Sequence, residues 1–246
     1  MSFYIVVAEK GICQYLVNTL TRLNLVWDHW NMPARNTVKI YHENTYYHVY
    51  NRGVEGRNIF EDDKDYKVFL SFIKRYLTKP SQNEVQPRWQ MGIGEEVQLS
   101  AYCLMPNHFH LLLKQKNSQG MTRFVRALMN SYVRYFNLRH KRVGGLFQGI
   151  YKAIPIDTEA YILHLTRYIH LNPLDLEEMT FGGLEDYYCS YGEYIGKRNT
   201  NWLQCHEILG YFGSKLAGIS RFKSYKEFVE KYQGESGEVL GKLVLE

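Results

Sequence analysis

The sequence is poor in cysteine and has no long apolar run. Its 246 residues include four cysteines, which lie far apart and form no CxxC pair. This spacing argues against a disulfide scaffold or a cysteine-bound zinc ion, and it favours a reducing cytoplasm. No stretch reaches the roughly 18 uninterrupted apolar residues of a membrane span, and the first residues lack the basic segment and cleavage site of a secretory signal. We therefore expect a cytoplasmic protein without a membrane segment.

Carboxylates are absent from the middle of the chain. No Asp or Glu occurs between Val97 and Ile156, although that segment carries nine Lys and Arg residues and the whole chain has a net charge of +5. The absence of carboxylates favours a polyanionic partner, most simply nucleic acid. The alternative is a solvated basic surface. The candidates for phosphate contacts are Arg123, Arg126 and Arg134, although each of them alone also fits a solvated helix residue.

Seven elements are predicted in the order β-α-β-β-α-β-α. Period-two alternation, apolar repeats at helical spacing and acidic or hydroxyl capping residues set their bounds. The first six follow the split βαβ pattern of a ferredoxin-like α+β fold, an antiparallel sheet with helices on one face. The predicted elements are a strand at 45–51, a helix from 62 to near Pro80, a loop at 80–95, a hairpin of strands 97–105 and 108–116, a helix at 121–140, a strand at 146–156, a helix at 159–171 and two weak helical runs at about 201–213 and 221–233.

The pattern divides the chain into three parts. These are an N-terminal segment at 1–43, the α+β core at 44–174 and a mostly α-helical C-terminal extension at 175–246. Residues 1–31 fit poorly with the rest, and Met32 opens a basic, polar lead into the first strand. We expect translation to begin at Met32, with residues 1–31 as an over-extended reading frame.

Two histidines share one strand of the predicted hairpin. In His108-Phe109-His110 the side chains alternate, so both imidazoles project from one face while Phe109 points to the other. This geometry allows both histidines to bind one metal ion while Phe109 enters the core. An HxH motif alone is weak support for a metal site, because hydrogen-bonded hairpin histidines have the same pattern.

The last predicted helix carries a tyrosine and an amide one turn apart. Tyr168 and Asn172 share a helix face. If that face packs over the histidine strand, the Asn172 oxygen completes a metal site and the Tyr168 hydroxyl lies beside it. A tyrosine near a metal-bound phosphodiester suggests nucleophilic attack, although free tyrosine has a pKa of about 10 and needs a metal or cation to become phenolate. Tyr161, on roughly the same face, is the alternative nucleophile.

Several blocks of the sequence together resemble the single-tyrosine HUH transposases, which include the insertion-sequence-200-like group and the REP-associated tyrosine transposases. The resemblance runs from about Asn44 to Leu174, and the blocks stand in the family's order at plausible spacing. The region of Tyr188 to Tyr191 and Trp202 resembles the tail of many members more weakly. The blocks are YHVYNRG at 47–53, AYCLMPNHFHLLL at 101–113, YFN at 135–137, GLFQG at 145–149 and RYIHLNP at 167–173.

The resemblance implies a tyrosine-dependent DNA-cleaving enzyme. It makes His108 and His110 the metal ligands, with Asn172 as the third, as in the REP-associated branch, and Mg²⁺ or Mn²⁺ as the ion. Tyr168 then cleaves single-stranded DNA at hairpin or palindromic sequences, leaving a 5′-phosphotyrosine and a free 3′-hydroxyl. The implied biological role is DNA transposition, and the covalent intermediate allows rejoining without ATP.

Further residues and other functions stay open at this point. Asn51 and Arg52 are candidates for DNA contacts at the end of the first strand, and Gln148 is a candidate for a metal or DNA contact or for packing. One alternative function is a domesticated, non-catalytic DNA-binding protein. Another is a replication-initiator or relaxase-type nickase, against which the lack of a GxxxxGK[ST] loop counts. The sequence fits a monomer or a homodimer.

Overall fold

Four antiparallel strands form the central sheet, in the order β2-β3-β1-β4. This is the ferredoxin-like order that the sequence predicts. The computed structural model describes residues 41–78, 93–176, 183–213 and 222–231. The expected start at Met32 and most of the predicted 80–95 loop lie outside the described residues. The strands are β1 Thr45–Arg52, β2 Val97–Met105, β3 His108–Gln115 and β4 Lys152–Ile156.

The described chain has three long helices, and the first and the third begin at capping residues that the sequence marks. They are α1 Asp63–Leu77, α2 Gly120–Arg139 and α3 Glu159–Leu171. The Asp62 carboxylate accepts hydrogen bonds from two backbone N–H groups of the first turn of α1. The Thr158 hydroxyl accepts one from the backbone N–H of Tyr161 at 3.2 Å in α3. These side chains satisfy N–H groups that have no partner inside the helix, and they fix where each helix begins.

Shorter helical turns complete the described chain. One of them, Ile93–Glu96, overlaps the end of the loop that the sequence analysis predicts at 80–95, and that prediction is wrong at residues 93–95. The turn forms because Ile93 is 1% exposed and packs into the core. No helix in the described ranges is long and apolar enough to cross a membrane. The other short helices are Val54–Gly56, Asn172–Asp175, Leu184–Asp186, Tyr191–Tyr194, His206–Gly210, Tyr211–Gly213 and Tyr225–Glu230.

One face of the sheet packs against α1 and α2. Alternate residues of β3 supply Phe109, Leu111 and Leu113 to this core, and all three are fully buried. The helices meet them with apolar residues spaced three or four apart, which places those residues on one helix face. The buried helix residues of this face are Phe69, Ile73 and Tyr76 in α1 and Met121, Phe124, Val125, Leu128, Tyr132 and Phe136 in α2.

The opposite face of the sheet is covered by α3 together with residues of the C-terminal region. Ile162, Leu165 and Ile169 of α3 share a second apolar cluster with Tyr191 and Phe228. The same region closes the outer edge of β2, because the backbone at 188–190 and 203–204 exchanges hydrogen bonds with that strand. The edge of the sheet is thereby paired rather than left open.

The fourth strand is shorter than the sequence predicts. The strand predicted at 146–156 begins only at Lys152. Gly149 has a φ of +73°, which turns the chain out of the sheet before the strand starts. The preceding residues instead follow the end of β1, where the backbone N–H of Gln148 donates to Arg52 O at 2.8 Å and that of Val54 donates to Leu146 O at 3.0 Å.

A buried histidine joins α3 to the C-terminal region. The Nδ1 atom of His170 lies 2.6 Å from the Tyr225 hydroxyl, and its Nε2 atom lies 2.7 Å from the Ser190 hydroxyl. Burial, with a smaller contribution from Arg198, lowers the pKa of His170 from 6.5 to about 3. A neutral imidazole therefore holds together three segments that are distant in the sequence.

We predict that Phe109→Ala destabilises the protein by about 3–5 kcal/mol, because it removes a fully buried ring and leaves a cavity between the sheet and α1. Urea unfolding followed by circular dichroism measures the loss. Leu138→Ala is the matched control: Leu138 is 82% exposed, and its truncation changes the free energy of unfolding by at most about 0.5 kcal/mol. Equal losses in the two variants would contradict the core described here.

We predict that His170 makes stability depend on pH. Between its unfolded pKa of 6.5 and its folded pKa of about 3, the unfolded chain binds a proton that the folded chain does not. The free energy of unfolding therefore falls as the pH is lowered through this window. In His170→Gln that fall becomes shallower, which urea unfolding at pH 7 and pH 5 measures. Parallel slopes for the two proteins would show that His170 does not carry the effect.

Candidate active site

β3 presents two histidines to α3. The side chains of His108 and His110 lie on the face that α3 covers, and Phe109 between them enters the core under α1 and α2. The two imidazole centroids are 5.0 Å apart, with the ring planes at 88°. His110 is fully buried, whereas His108 is partly exposed. His110 therefore lies in the protein interior, and His108 lies where the site opens to solvent.

Asn172, directly after α3, faces this pair and is 4% exposed. Its Nδ2 donates to the backbone oxygen of Tyr168 at 2.8 Å, which leaves Oδ1 to lie 3.5 Å from His108 Nε2. His108 Nδ1 is 2.6 Å from Asn107 Oδ1 and donates to it, because an amide oxygen can only accept. In the neutral form of His108 with the proton on Nδ1, the Nε2 atom carries a lone pair that faces Asn172 Oδ1. A cation bound between these two atoms removes the repulsion of their lone pairs.

His110 offers a third nitrogen to the same place. Burial, followed by the neighbouring His48 and His108, lowers the pKa of His110 well below 6.5, so its imidazole is neutral. Its Nε2 atom is buried and makes no well-formed hydrogen bond among the described residues, and the Asn172 side chain lies close enough to interact with the ring. In the described ranges no group of three His, Cys, Asp or Glu side chains is placed to hold a metal. The residues present fit a divalent cation through two imidazole nitrogens and the Asn172 amide oxygen.

His48 belongs to this site, and the sequence analysis missed it. It lies on β1, fully buried, with Nε2 2.8 Å from His110 Nδ1. The two rings are nearly parallel, at 18°, with centroids 5.1 Å apart. The available signal was strand alternation, which places His48 and Tyr50 on one face of β1, and Tyr50 is directly opposite His110.

Tyr168 packs edge-on against the buried histidines. Its ring centroid is 5.4 Å from that of His110 and 6.4 Å from that of His48, at 84° and 80°. The side chain is half-buried. Tyr161 lies in the first turn of the same helix and is 43% exposed. Seven residues of α-helix separate the two tyrosines by about 10 Å along the axis. The structure brings Tyr168, and not Tyr161, together with the histidines.

A family model described as "Transposase IS200 like" matches residues 42–172 of this sequence, more than half of the chain. The chain belongs to the IS200-like transposase family. This makes the protein a transposase, a DNA-cleaving enzyme of a metal-dependent class. The matched segment contains both histidines of β3, Tyr168 and Asn172.

The solved structures that are similar to this transposase include the following two. One is a REP-associated tyrosine transposase bound to a REP hairpin, with 10% identity, a TM-score of 0.46, and coverage of 70% of this chain and 97% of that chain. Another is a candidate transposase from Deinococcus radiodurans R1, with 17% identity, a TM-score of 0.34, and coverage of 56% and 95%. No curated protein sequence matches this chain.

Two exposed cations flank the histidines of the transposase. Arg52 is directly opposite His108 in the sheet, and Lys152 is directly opposite Tyr50, so both share the face of the histidines. The Arg52 guanidinium hydrogen-bonds to the Gln148 side chain. The Lys152 ammonium lies 5.6 Å from the Tyr50 ring centroid. Positive charge next to this site attracts the phosphates of DNA.

The structure places Asn51 away from this face. It is 5% exposed, and its Nδ2 donates to Gly149 O at 3.4 Å while its Oδ1 accepts from the Arg52 backbone N–H at 2.9 Å. These bonds hold the 146–149 segment against β1. Asn51 therefore supports Arg52 and Gln148 rather than reaching the solvent itself.

The three predicted arginines all lie on α2, across the sheet from the histidines. Arg126 and Arg134 are exposed, whereas Arg123 forms an ion pair with Glu96. The structure does not bring them together with Arg52 and the histidines. Their contact with DNA stays a prediction, and it requires a strand that extends around the edge of the sheet.

We predict that Arg52→Gln and Lys152→Gln each weaken binding of single-stranded DNA. The loss of one phosphate contact reduces the slope of log K against log salt by about 0.7. Fluorescence anisotropy with a labelled oligonucleotide over a series of salt concentrations measures both effects. Lys67→Gln, which removes an exposed cation from α1 on the far face, leaves the slope unchanged. A slope that also falls in Lys67→Gln would indicate diffuse attraction without defined phosphate contacts.

Proposed function

We propose that this transposase cleaves and rejoins single-stranded DNA through a covalent 5′-phosphotyrosine at Tyr168. In this proposal His108, His110 and Asn172 hold one divalent metal ion, Mg²⁺ or Mn²⁺. The substrate is DNA with hairpin or palindromic sequences, and the reaction serves DNA transposition. Asn172 and the C-terminal region favour the REP-associated branch of the family over its minimal members.

One observation carries the proposal: the Tyr168 ring in the last turn of α3 and the Asn172 amide directly after that helix both meet the histidines of β3. The Tyr168 ring lies 5.4 Å from the His110 ring, and Asn172 Oδ1 lies 3.5 Å from His108 Nε2. A helix packed on the sheet only for stability would not need a buried amide beside two imidazoles. The arrangement supports a nucleophile beside a cation site.

The chemistry assigned to Tyr168 is an in-line displacement. Its phenolic oxygen forms a bond to phosphorus while the bond from phosphorus to the 3′-oxygen breaks, and the phenol proton ends, in net terms, on the released 3′-hydroxyl. The new phosphotyrosine keeps the phosphodiester's energy, so attack by a 3′-hydroxyl in the reverse sense rejoins DNA. A divalent metal, when bound, neutralises charge on the phosphate oxygens.

The residues around Tyr168 suit this role in different ways. Arg52 and Lys152 offer exposed positive charge on the same face, which favours both the phosphate and a phenolate. The imidazoles and the amide are neutral ligands, and nitrogen ligands suit Mn²⁺ better than Mg²⁺. We therefore expect Mn²⁺ to bind more tightly in vitro.

A single polynucleotide strand suits the distribution of charge on this transposase. The segment from Val97 to Ile156 has nine cations and no carboxylate, and it crosses the sheet from the histidines to α2. A flexible strand can follow such a surface more closely than a stiff duplex. The choice of hairpin or palindromic DNA rests on the family resemblance.

We predict that incubation with a labelled, hairpin-bearing single strand and Mn²⁺ yields a covalent protein–DNA band on a denaturing gel. Tyr168→Phe abolishes the band, because it removes the attacking oxygen and keeps the ring against His110. Tyr161→Phe is the matched control on the same helix, and it retains the band. DNA binding of each variant by anisotropy shows that the substrate still reaches the site.

Two other outcomes would contradict this assignment in different ways. A band that survives Tyr168→Phe and disappears in Tyr161→Phe would keep the reaction and move the nucleophile. Tight DNA binding by the wild-type protein with no band for any member of a hairpin library would favour a non-catalytic DNA-binding protein. Cleavage of a supercoiled plasmid at one origin, without cleavage of isolated hairpins, would favour a replication-type nickase.

A further inference from the structure

The His48–His110 pair is a hydrogen bond between two buried rings. His48 Nε2 and His110 Nδ1 are 2.8 Å apart, and both side chains are fully buried. Each neutral imidazole carries one ring proton, so only one of the two nitrogens in contact is the donor. The choice of donor decides which nitrogen of His110 keeps a lone pair.

A ligand role for His110 requires one of the two arrangements. Burial alone does not choose between them, because the second ring nitrogen of each histidine, Nδ1 of His48 and Nε2 of His110, is equally buried. If His110 Nδ1 is the donor, its Nε2 carries a lone pair on the side of His108 and Asn172. Only this arrangement lets His110 bind the metal ion of the proposed function.

We propose that His48 is a positioning residue, which accepts the Nδ1–H of His110 and so keeps the Nε2 lone pair of His110 directed to the metal. This rests on the metal site of the proposed function and adds a residue to it. Histidine ligands of metals usually donate their second N–H to a carboxylate or a carbonyl. Here another imidazole takes that place.

His48 also restrains the nucleophile. Its ring meets the Tyr168 ring edge-on at 6.4 Å, and it packs on Tyr50 at 4.8 Å on the other side. One side chain therefore contacts both a metal ligand and the tyrosine. Because His48 is on β1 and Tyr168 is on α3, it ties the position of the helix to the position of the ligand.

The first test reads the tautomer directly, without metal or DNA. In protein labelled with ¹⁵N-histidine, long-range ¹H–¹⁵N spectra distinguish a protonated from an unprotonated ring nitrogen. We expect His110 to be protonated at Nδ1 and unprotonated at Nε2, both in the metal-free protein and with Mg²⁺. A His110 ring protonated at Nε2 in the metal-free wild-type protein would overturn the proposal.

The second test measures Mn²⁺ binding to the DNA-free protein by the electron paramagnetic resonance signal of free Mn²⁺. His48→Leu keeps the volume and removes the acceptor, and we expect it to weaken Mn²⁺ binding about 10–100-fold. His48→Gln restores an acceptor oxygen, and we expect its affinity to stay within a few-fold of wild type. His140→Gln removes an imidazole directly after α2, across the sheet from the site, whose contacts go to Asp65 and Glu61 instead, and it leaves the affinity unchanged.

The outcomes separate this inference from the function on which it rests. If His48→Leu folds and binds Mn²⁺ as tightly as wild type, His48 has no positioning role, whereas Tyr168 chemistry stands. If the wild-type protein binds no Mn²⁺, the metal site of the proposed function fails, and the tautomer spectrum still decides the role of His48. If His48→Leu does not fold, the comparison of His48→Gln with wild type and the wild-type spectrum decide it.

Discussion

The central sheet is covered on both faces, and every polar side chain that its strands direct inward must find a partner inside the protein. β3 meets this constraint in the most demanding way, because alternation sends Phe109 into one core and two imidazoles into the other. His48 and Asn107 each take one ring nitrogen of the two imidazoles, and the Nε2 atoms lie beside the amide after α3. The same constraint produces a cluster of directed lone pairs under a helix.

Much of the fold could be predicted from the sequence because its signals are local. Asp62 and Thr158 mark helix starts, and period-two alternation places the strands of the hairpin at their observed positions. Local signals did not give the start of β4. Strand-forming residues at 146–148 run beside the end of β1, and the φ of Gly149 ends that run before the strand begins. Only tertiary pairing decides between these two courses.

The site was predictable where one element carries the pattern and not where two elements must meet. Tyr168 and Asn172 are one turn apart on a single helix, and the two histidines of β3 are two residues apart on a single strand. His48 is on another strand, so its contact with His110 follows from register, which a single sequence does not contain. The arginines of α2 show the same limit, because helical spacing does not tell which face of a sheet a helix covers.

The buried contacts between α3 and the C-terminal region show that the family segment and the folded unit have different limits. The family match ends at residue 172, yet His170 and Arg167 are completed by Ser190, Tyr225 and Phe228, which follow that point. A variant truncated at the end of the match would lose the residues that pack against the C-terminal half of α3, the helix that carries Tyr168. The segment that matches the family model is therefore smaller than the unit that holds Tyr168 in place, and a shortened form of this chain has to keep the larger unit.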